Sequence, residues 1–190
     1  IPNSLAGALS SRRSGIVAII VPTLEQSIFA DTVDGAESEL NVRNLQVMIG
    51  QTKYDIGREA ELVKAFLKLR PEGLILTGSN HLPIVHDLLN AADIPVAECW
   101  GRAETPIGIS VGFDNQAAAR DIVTHMIDRG RRRIAMLCAP RHFDNRLQQR
   151  IDGYEEAMHL HGLEIDVHDS IEGSSTYSGF HQSGKVLDHI

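Results

Sequence analysis

Arg146 and Arg150 stand four residues apart, a spacing that places two guanidinium groups on one face of a helix. Like charges at that spacing repel by roughly 0.2–0.5 kcal/mol. An anionic partner would relieve them, although solvent also suffices. The chain adds hydroxyls at Thr23, Ser27, Thr77 and Ser79, aromatic faces at Phe29, Trp100 and Phe113, and a carboxylate at Glu98. Hydroxyls and acids hydrogen-bond the OH groups of a polyhydroxylated ligand, and an arginine fork takes a carboxylate. This is the chemistry of binding, and no catalytic residue is assigned. The first apolar run is followed by VPTLEQSIF, not by G-x-G-x-x-G, and neither a P-loop nor a G-x-S-x-G elbow occurs. There are nine histidines. His159 and His161 point different ways from one predicted helix, while His81, His86, His125 and His142 fall in separate elements. Without H-x₃-H or C-x₂-C spacing, no metal and no cofactor are expected.

These residues have to be positioned by regular elements. Ile16 to Val21 is a continuous β-branched run, the signature of a parallel strand covered on both faces, and Pro22 stops it. Phe29, Val33, Ala36 and Leu40 then recur at helical spacing. Leu45 to Ile49 predicts a second strand ended by Gly50, and Ile56, Ala60, Val63 and Leu67 a second helix closed by Pro71. Gly73 to Thr77 reads as a strand, Ile84, Leu88 and Ala91 as a helix stripe, and Ile94 to Cys99 and Ile107 to Val111 as strands. The alternation predicts a doubly wound parallel sheet with right-handed crossovers. Ligands sit outside the carboxyl ends of such strands, and that rule selects the candidates above.

Residues 112 to 140 cross to a second α/β segment. Ala119, Ile122, Val123, Met126 and Ile127 stripe a helix, and Arg133 to Leu137 reads as a strand. Leu147, Ile151, Tyr154 and Met158 stripe the next helix, and Leu163 to Val167 is a strand. From Thr176 the chain again looks helical but stops uncapped at Ile190. Two strands are too few for a stable sheet domain, so further sequence beyond residue 190 is expected. The opening on Ile1 likewise suggests a fragment.

At 43% hydrophobic the 190 residues bury a sizeable core, and no apolar run approaches the roughly 18 residues of a membrane span. A net charge of −7 argues against an extended nucleic-acid grip, except over residues 1 to 15, which carry Arg12 and Arg13 and no acid. Cys99 and Cys138 end apolar runs and read as thiols of a cytosolic protein rather than a disulfide. Asp114 reads first as an N-cap, with ligand contact as the alternative. Arg131 to Arg133 complement a helix C-terminus. For Phe29, core packing and ligand stacking stay open. Trp100, past a strand end, leans toward a site.

The segments IPNSLAGALSSRRSGIVAIIVP, RPEGLILT, IPVAE, VGFDN, RGRRRIAML and RIDGYEEAM, in this order over nearly the whole chain, resemble the lactose-repressor (LacI) family of transcription regulators. VGFDN, the glutamate of IPVAE and ILTGSNHLP are similar to the gluconate-repressor branch. The resemblance implies a periplasmic-binding-protein-like, two-lobed α/β fold with the second lobe incomplete. Residues 1–14 would be a hinge helix leading to a missing helix-turn-helix, 15–111 the N-terminal lobe, and 112–190 the first part of the C-terminal lobe. It implies no enzyme but a cytoplasmic homodimer, a repressor that binds operator DNA and a small sugar or sugar acid such as gluconate. Leu9 would wedge into the minor groove, with Ala6 packed nearby. Arg150 matches the effector-binding arginine of the R-x-x-G motif, Ile28 and Phe29 the contacts after strand one, and Thr77 the contact after strand three. With Ser79, Glu98, Trp100, Phe113 and Arg146, these make up the expected ligand set. A periplasmic sugar-binding protein of a transporter is the alternative, and the hinge segment with Leu9, Arg12 and Arg13 speaks against it. Arg131 departs from the histidine common at that place in the family, and the loop CAPRHFDNRLQQR is distinctive.

Overall fold

The computed structural model describes residues 14–139 and 145–169. The expectations for Ala6, Leu9, the basic pair Arg12 and Arg13, residues 140–144 and the segment from Thr176 lie outside these residues. The chain divides into two compact units, Ile1–Gly112 and Phe113–Ile190.

In the first unit, strands β1 (Ile16–Val21), β2 (Gln46–Gln51), β3 (Gly73–Thr77), β4 (Val96–Cys99) and β5 (Ile109–Val111) form one sheet in the order β2-β1-β3-β4-β5. Every pairing is parallel. Helices α1 (Ser27–Asn41), α2 (Ile56–Leu67) and α3 (Pro83–Ala92) make the connections. Because side chains alternate along a strand, β1 feeds two cores at once. Ala18 and Ile20 join Leu74, Leu76 and Val96 under Ala60, Val63 and Phe66 of α2 and Val85 and Leu89 of α3. Ile19 and Val21 face Phe29 and Val33 of α1. That two-sided burial is why β1 is apolar at every position.

Local chemistry sets the helix ends. Asp55 accepts the amides of Gly57 and Arg58 at 2.7 and 3.2 Å to start α2. Pro83 opens α3 at a place where a missing N–H costs nothing, and Asp93 ends it in the left-handed region. Three expectations shift. Gly50 does not end β2, which runs on to Gln51; a side chain there would meet Phe66 and Leu62 at 3.0 and 3.1 Å, so the glycine admits α2. The buried face of α3 is Val85 and Leu89, while Ile84 is 41% exposed. β4 and β5 begin two residues later than the apolar runs suggest.

In the second unit α4 (Asn115–Asp128) packs on α5 (Asn145–Leu160), beside a parallel pair β6 (Met136–Cys138) and β7 (Val167–Asp169). Both helices stop at a glycine with positive φ, Gly130 and Gly162. At each end the next amide reaches back, Arg131 to the Met126 carbonyl and Leu163 to that of Met158, closing the last turn. Val123 and Ile127 of the α4 stripe are buried, but Ile122 is 66% and Met126 40% exposed, since only one edge of that broad stripe meets α5. β6 lies three residues later than expected, and β7 begins at Val167, where the expected strand ended. The run before it serves the core instead, with Leu163 packed on the α4–α5 cluster.

Tyr154 ties this unit together. Its hydroxyl lies 2.8 Å from the Ile134 carbonyl and accepts the Asp166 amide at 2.8 Å, joining the segments before β6 and β7 to α5. Burial first raises the phenol's pKa, which keeps it protonated. Tyr154→Phe strands a buried N–H and a carbonyl, so we expect it to cost about 1–3 kcal/mol. The measurement is the urea midpoint, which should fall at unchanged slope. An unchanged midpoint would show that the hydroxyl is not needed.

Candidate functional site

The strand order of the first unit turns at β1, which has β2 on one side and β3 on the other. That is the switch point of an open parallel sheet, where the loops leaving adjacent strands part and expose a crevice at their carboxyl ends. Thr77, the last residue of β3, donates its hydroxyl to the Ile20 carbonyl at 3.0 Å and pins the two strand ends together. Ser79 follows and touches the next loop; a side chain on Gly101 would lie 3.1 Å from its Oγ. Thr23 is buried and accepts the Glu25 amide at 3.1 Å.

The aromatic pair is built rather than merely adjacent. Trp100 has φ 67°, a left-handed backbone that a bulky side chain adopts only when its surroundings hold it there. Its amide donates to the Val111 carbonyl at 3.2 Å. Its indole N–H donates to Thr32 Oγ1 at 2.9 Å, and its ring meets Phe29 edge to face at 6.2 Å. Phe29 is only 2% exposed, so it fills the core and braces the indole, whereas its neighbour Ile28 is 45% exposed.

Glu98 sits on the opposite face of the sheet, buried beside His81 and Glu59. Its Oε2 accepts the Ile107 amide at 2.7 Å, and its Oε1 lies 3.4 Å from His81 Nε2. His81 Nδ1 lies 2.7 Å from Glu59 Oε1 of α2. Burial lowers the histidine's pKa, but the hydrogen bond and charge of Glu59, the charge of Glu98 and the backbone of Gly78 together raise it above 6.5. Glu59, His81 and Glu98 come from a helix, a loop and a strand, and only the β3–β4 register brings them together.

In the second unit Arg146 is 6% exposed and Arg150 half-buried on α5. Arg150 Nη1 donates to Asn115 Oδ1 at 2.8 Å. Asn115, 2% exposed, is the first residue of α4, which Asp114 caps by accepting the Ala117 amide at 2.9 Å. Phe113, just ahead, is 48% exposed. Arg150 thus stands on a buried amide, for which the sequence reading assigned no role. Asn115 closes the VGFDN segment of the family resemblance, directly after the capping aspartate, yet the resemblance gave it no role. Among the described residues no group of three or more metal-ligating side chains is assembled, and no helix is long and apolar enough to cross a membrane.

Residues 14–182 match the family of periplasmic binding proteins and sugar-binding domains of LacI regulators. The chain is 35% identical over 178 residues to the HTH-type transcriptional regulator GntR of Escherichia coli K12, covering 94% of this chain and 53% of that protein. A LacI-family transcriptional regulator from Silicibacter pomeroyi superposes over the whole chain and 57% of its own, with TM-score 0.90 and 30% identity. The transcription regulator GntR from Chromobacterium violaceum covers 91% of this chain and 64% of its own, with TM-score 0.81 and 30% identity. The chain spans about half the length of the curated relatives it matches. These relatives are transcriptional regulators, not enzymes.

Proposed function

This chain belongs to the family of periplasmic binding proteins and LacI-type sugar-binding domains, and from that premise we propose that it is the effector-binding part of a cytoplasmic transcriptional repressor answering to a sugar acid such as gluconate. The observation that carries the reading is Arg150, half-buried in the R-x-x-G motif and oriented by Asn115. A guanidinium pre-set in this way loses little freedom when it takes a carboxylate. The residues proposed to serve the effector are Ile28, Thr77, Ser79, Trp100, Phe113, Arg146 and Arg150, with Phe29 as the brace behind Trp100 and Glu98 acting from beneath the sheet.

In this reading residues 1–14 lead to a helix-turn-helix, 15–111 form the N-terminal lobe and 112–190 begin the C-terminal lobe. The protein works as a homodimer, with Ala6 and Leu9 at the operator. Effector and operator are linked equilibria, so each weakens the other's binding by the same factor. The intact protein should show a higher melting temperature with gluconate, and gluconate should release it from its operator in an anisotropy titration. Glucose, which lacks the carboxylate, should do neither at the same concentration. A screen in which no sugar acid raises the melting temperature would refute the assignment.

A further inference from the structure

In the acid–histidine–acid cluster of the first unit only Glu98 has been given a part so far, and the geometry of the whole cluster is specific. The His81 side chain is wholly buried, and Glu59 and Glu98 are 8% and 1% exposed. A carboxylate faces each ring nitrogen, Glu59 at 2.7 Å from Nδ1 and Glu98 at 3.4 Å from Nε2. A neutral imidazole has one N–H. If it donates to Glu59, it presents a lone pair to Glu98. Only the imidazolium turns an N–H toward each carboxylate, hydrogen-bonding Glu59 and facing Glu98 as an ion pair without a hydrogen bond.

Other elements around the ring add little charge. His86 of α3 meets it edge to face at 6.1 Å, and Gly78 contributes backbone. Glu98 is anchored independently through the Ile107 amide, so it cannot swing away without stranding that N–H. The loop between Thr77 and Pro83 carries Ser79 two residues before His81, and the Gly78 amide ties it to the Cys99 carbonyl at 2.7 Å.

We propose that His81 is a positioning residue whose proton, shared between Glu59 and Glu98, clasps the Thr77–Ser79 segment in its ligand-ready form and so makes effector affinity fall as pH rises. The proposal rests on the assignment of Thr77 and Ser79 to the effector site. The sign follows from linkage. The folded pKa of His81 lies above 6.5, so the cluster's contribution to stability is full below pH 6.5 and is lost as pH rises through the folded value. By reciprocity, effector binding draws a proton onto His81. An ordinary carboxyl titrates near 4, so a sugar-acid carboxylate does not change charge over this range.

The test uses the intact protein and has two independent arms. In the first, the ligand-free protein is titrated by NMR of ¹³C-labelled histidine, with His81→Gln identifying the resonance. His81 should titrate above pH 6.5, and Glu98→Gln should bring its midpoint down. A wild-type midpoint at or below 6.5 overturns the proposal. If His81→Gln does not fold, Glu98→Gln identifies the resonance by its shift. In the second arm, gluconate binding is followed by calorimetry from pH 5.5 to 8.5. Wild-type affinity should fall about tenfold, as one linked proton allows, while Glu98→Gln should be nearly flat. A flat wild-type profile, or an equal slope in the variant, overturns the linkage. Failure of gluconate to bind at any pH refutes the effector assignment, and with it the claimed effect on affinity, while the first arm still decides the proton clasp.

Discussion

Arg150→Ala is expected to weaken gluconate binding about a hundredfold while the protein still unfolds in one cooperative transition. Truncating one partner of a desolvated charge pair costs about 2–5 kcal/mol, and each 1.4 kcal/mol is a factor of ten. A value in the lower half of that range, roughly 3 kcal/mol, gives about the hundredfold. The fold should survive because the arginine's 2.8 Å bond to Asn115 is one neutral acceptor's worth of interaction. Losing it leaves a buried amide oxygen short of a partner, a cost of about 1–2 kcal/mol. Arg150→Lys should recover only part of the affinity, because an ammonium keeps the charge but not the planar fork that spans Asn115 and a carboxylate together. Calorimetry on all three proteins, beside urea unfolding, reads both effects. Equal affinity in wild type and Arg150→Ala would remove the arginine from the site and leave it a structural residue.

How far such sites are legible in the sequence depends on whether their geometry is local. The apolar run of β1, the Asp114 cap and the α5 stripe of Leu147, Ile151, Tyr154 and Met158 are properties of neighbouring residues, and all appear where the pattern put them. Faces of helices are less secure. In α3 the residues Ile84, Val85, Leu88 and Leu89 offer two apolar stripes offset by one position, and only the sheet beneath selects Val85 and Leu89. β6 and β7 drift for the same reason, since an apolar run such as Leu163 to Val167 serves a loop as well as a strand.

The candidate site divides in the same way. Trp100 stood out by type and place, but the strained backbone that holds it, and Thr32 as its partner 68 residues away, emerge only with the fold. Glu98 fitted a hydroxyl-binding role by composition, yet strand alternation turns it to the α2 face, where it meets His81. The cluster Glu59, His81 and Glu98 is invisible to spacing rules because each member lies on a different element. Asn115 was hidden by its neighbour: Asp114 explained the start of α4 so completely that the next residue passed as ordinary.

Gly153→Ala should destabilise the second unit by about 3 kcal/mol and carry effector binding down with it. Two effects oppose each other. Alanine inside a helix is worth up to about 1 kcal/mol over glycine, which favours the variant. Against this, a Cβ at position 153 would lie 2.1 Å from the Gln116 carbonyl oxygen and 3.0 Å from the Arg120 nitrogen. Both are backbone atoms of α4, so no rotamer change relieves the contact and the helices must separate. Overpacking of this kind typically costs about 1–3 kcal/mol, and more where nothing flexible yields. Separation also strains the bonds from Gln116 and Arg120 to Glu156, at 3.1 and 3.3 Å. Clash therefore outweighs propensity. The consequence for function follows from position, because Gly153 lies three residues after Arg150 on the same side of α5. The close approach that the glycine permits brings Arg150 within reach of Asn115, so the two fixed letters of R-x-x-G serve one geometry: the glycine sets the distance and the arginine uses it. The urea midpoint and gluconate affinity of Gly153→Ala should both fall, and Gly153→Ser should do the same. A variant as stable as wild type, or more so, would show that helix propensity outweighs the contact and that the motif's glycine has some other reason.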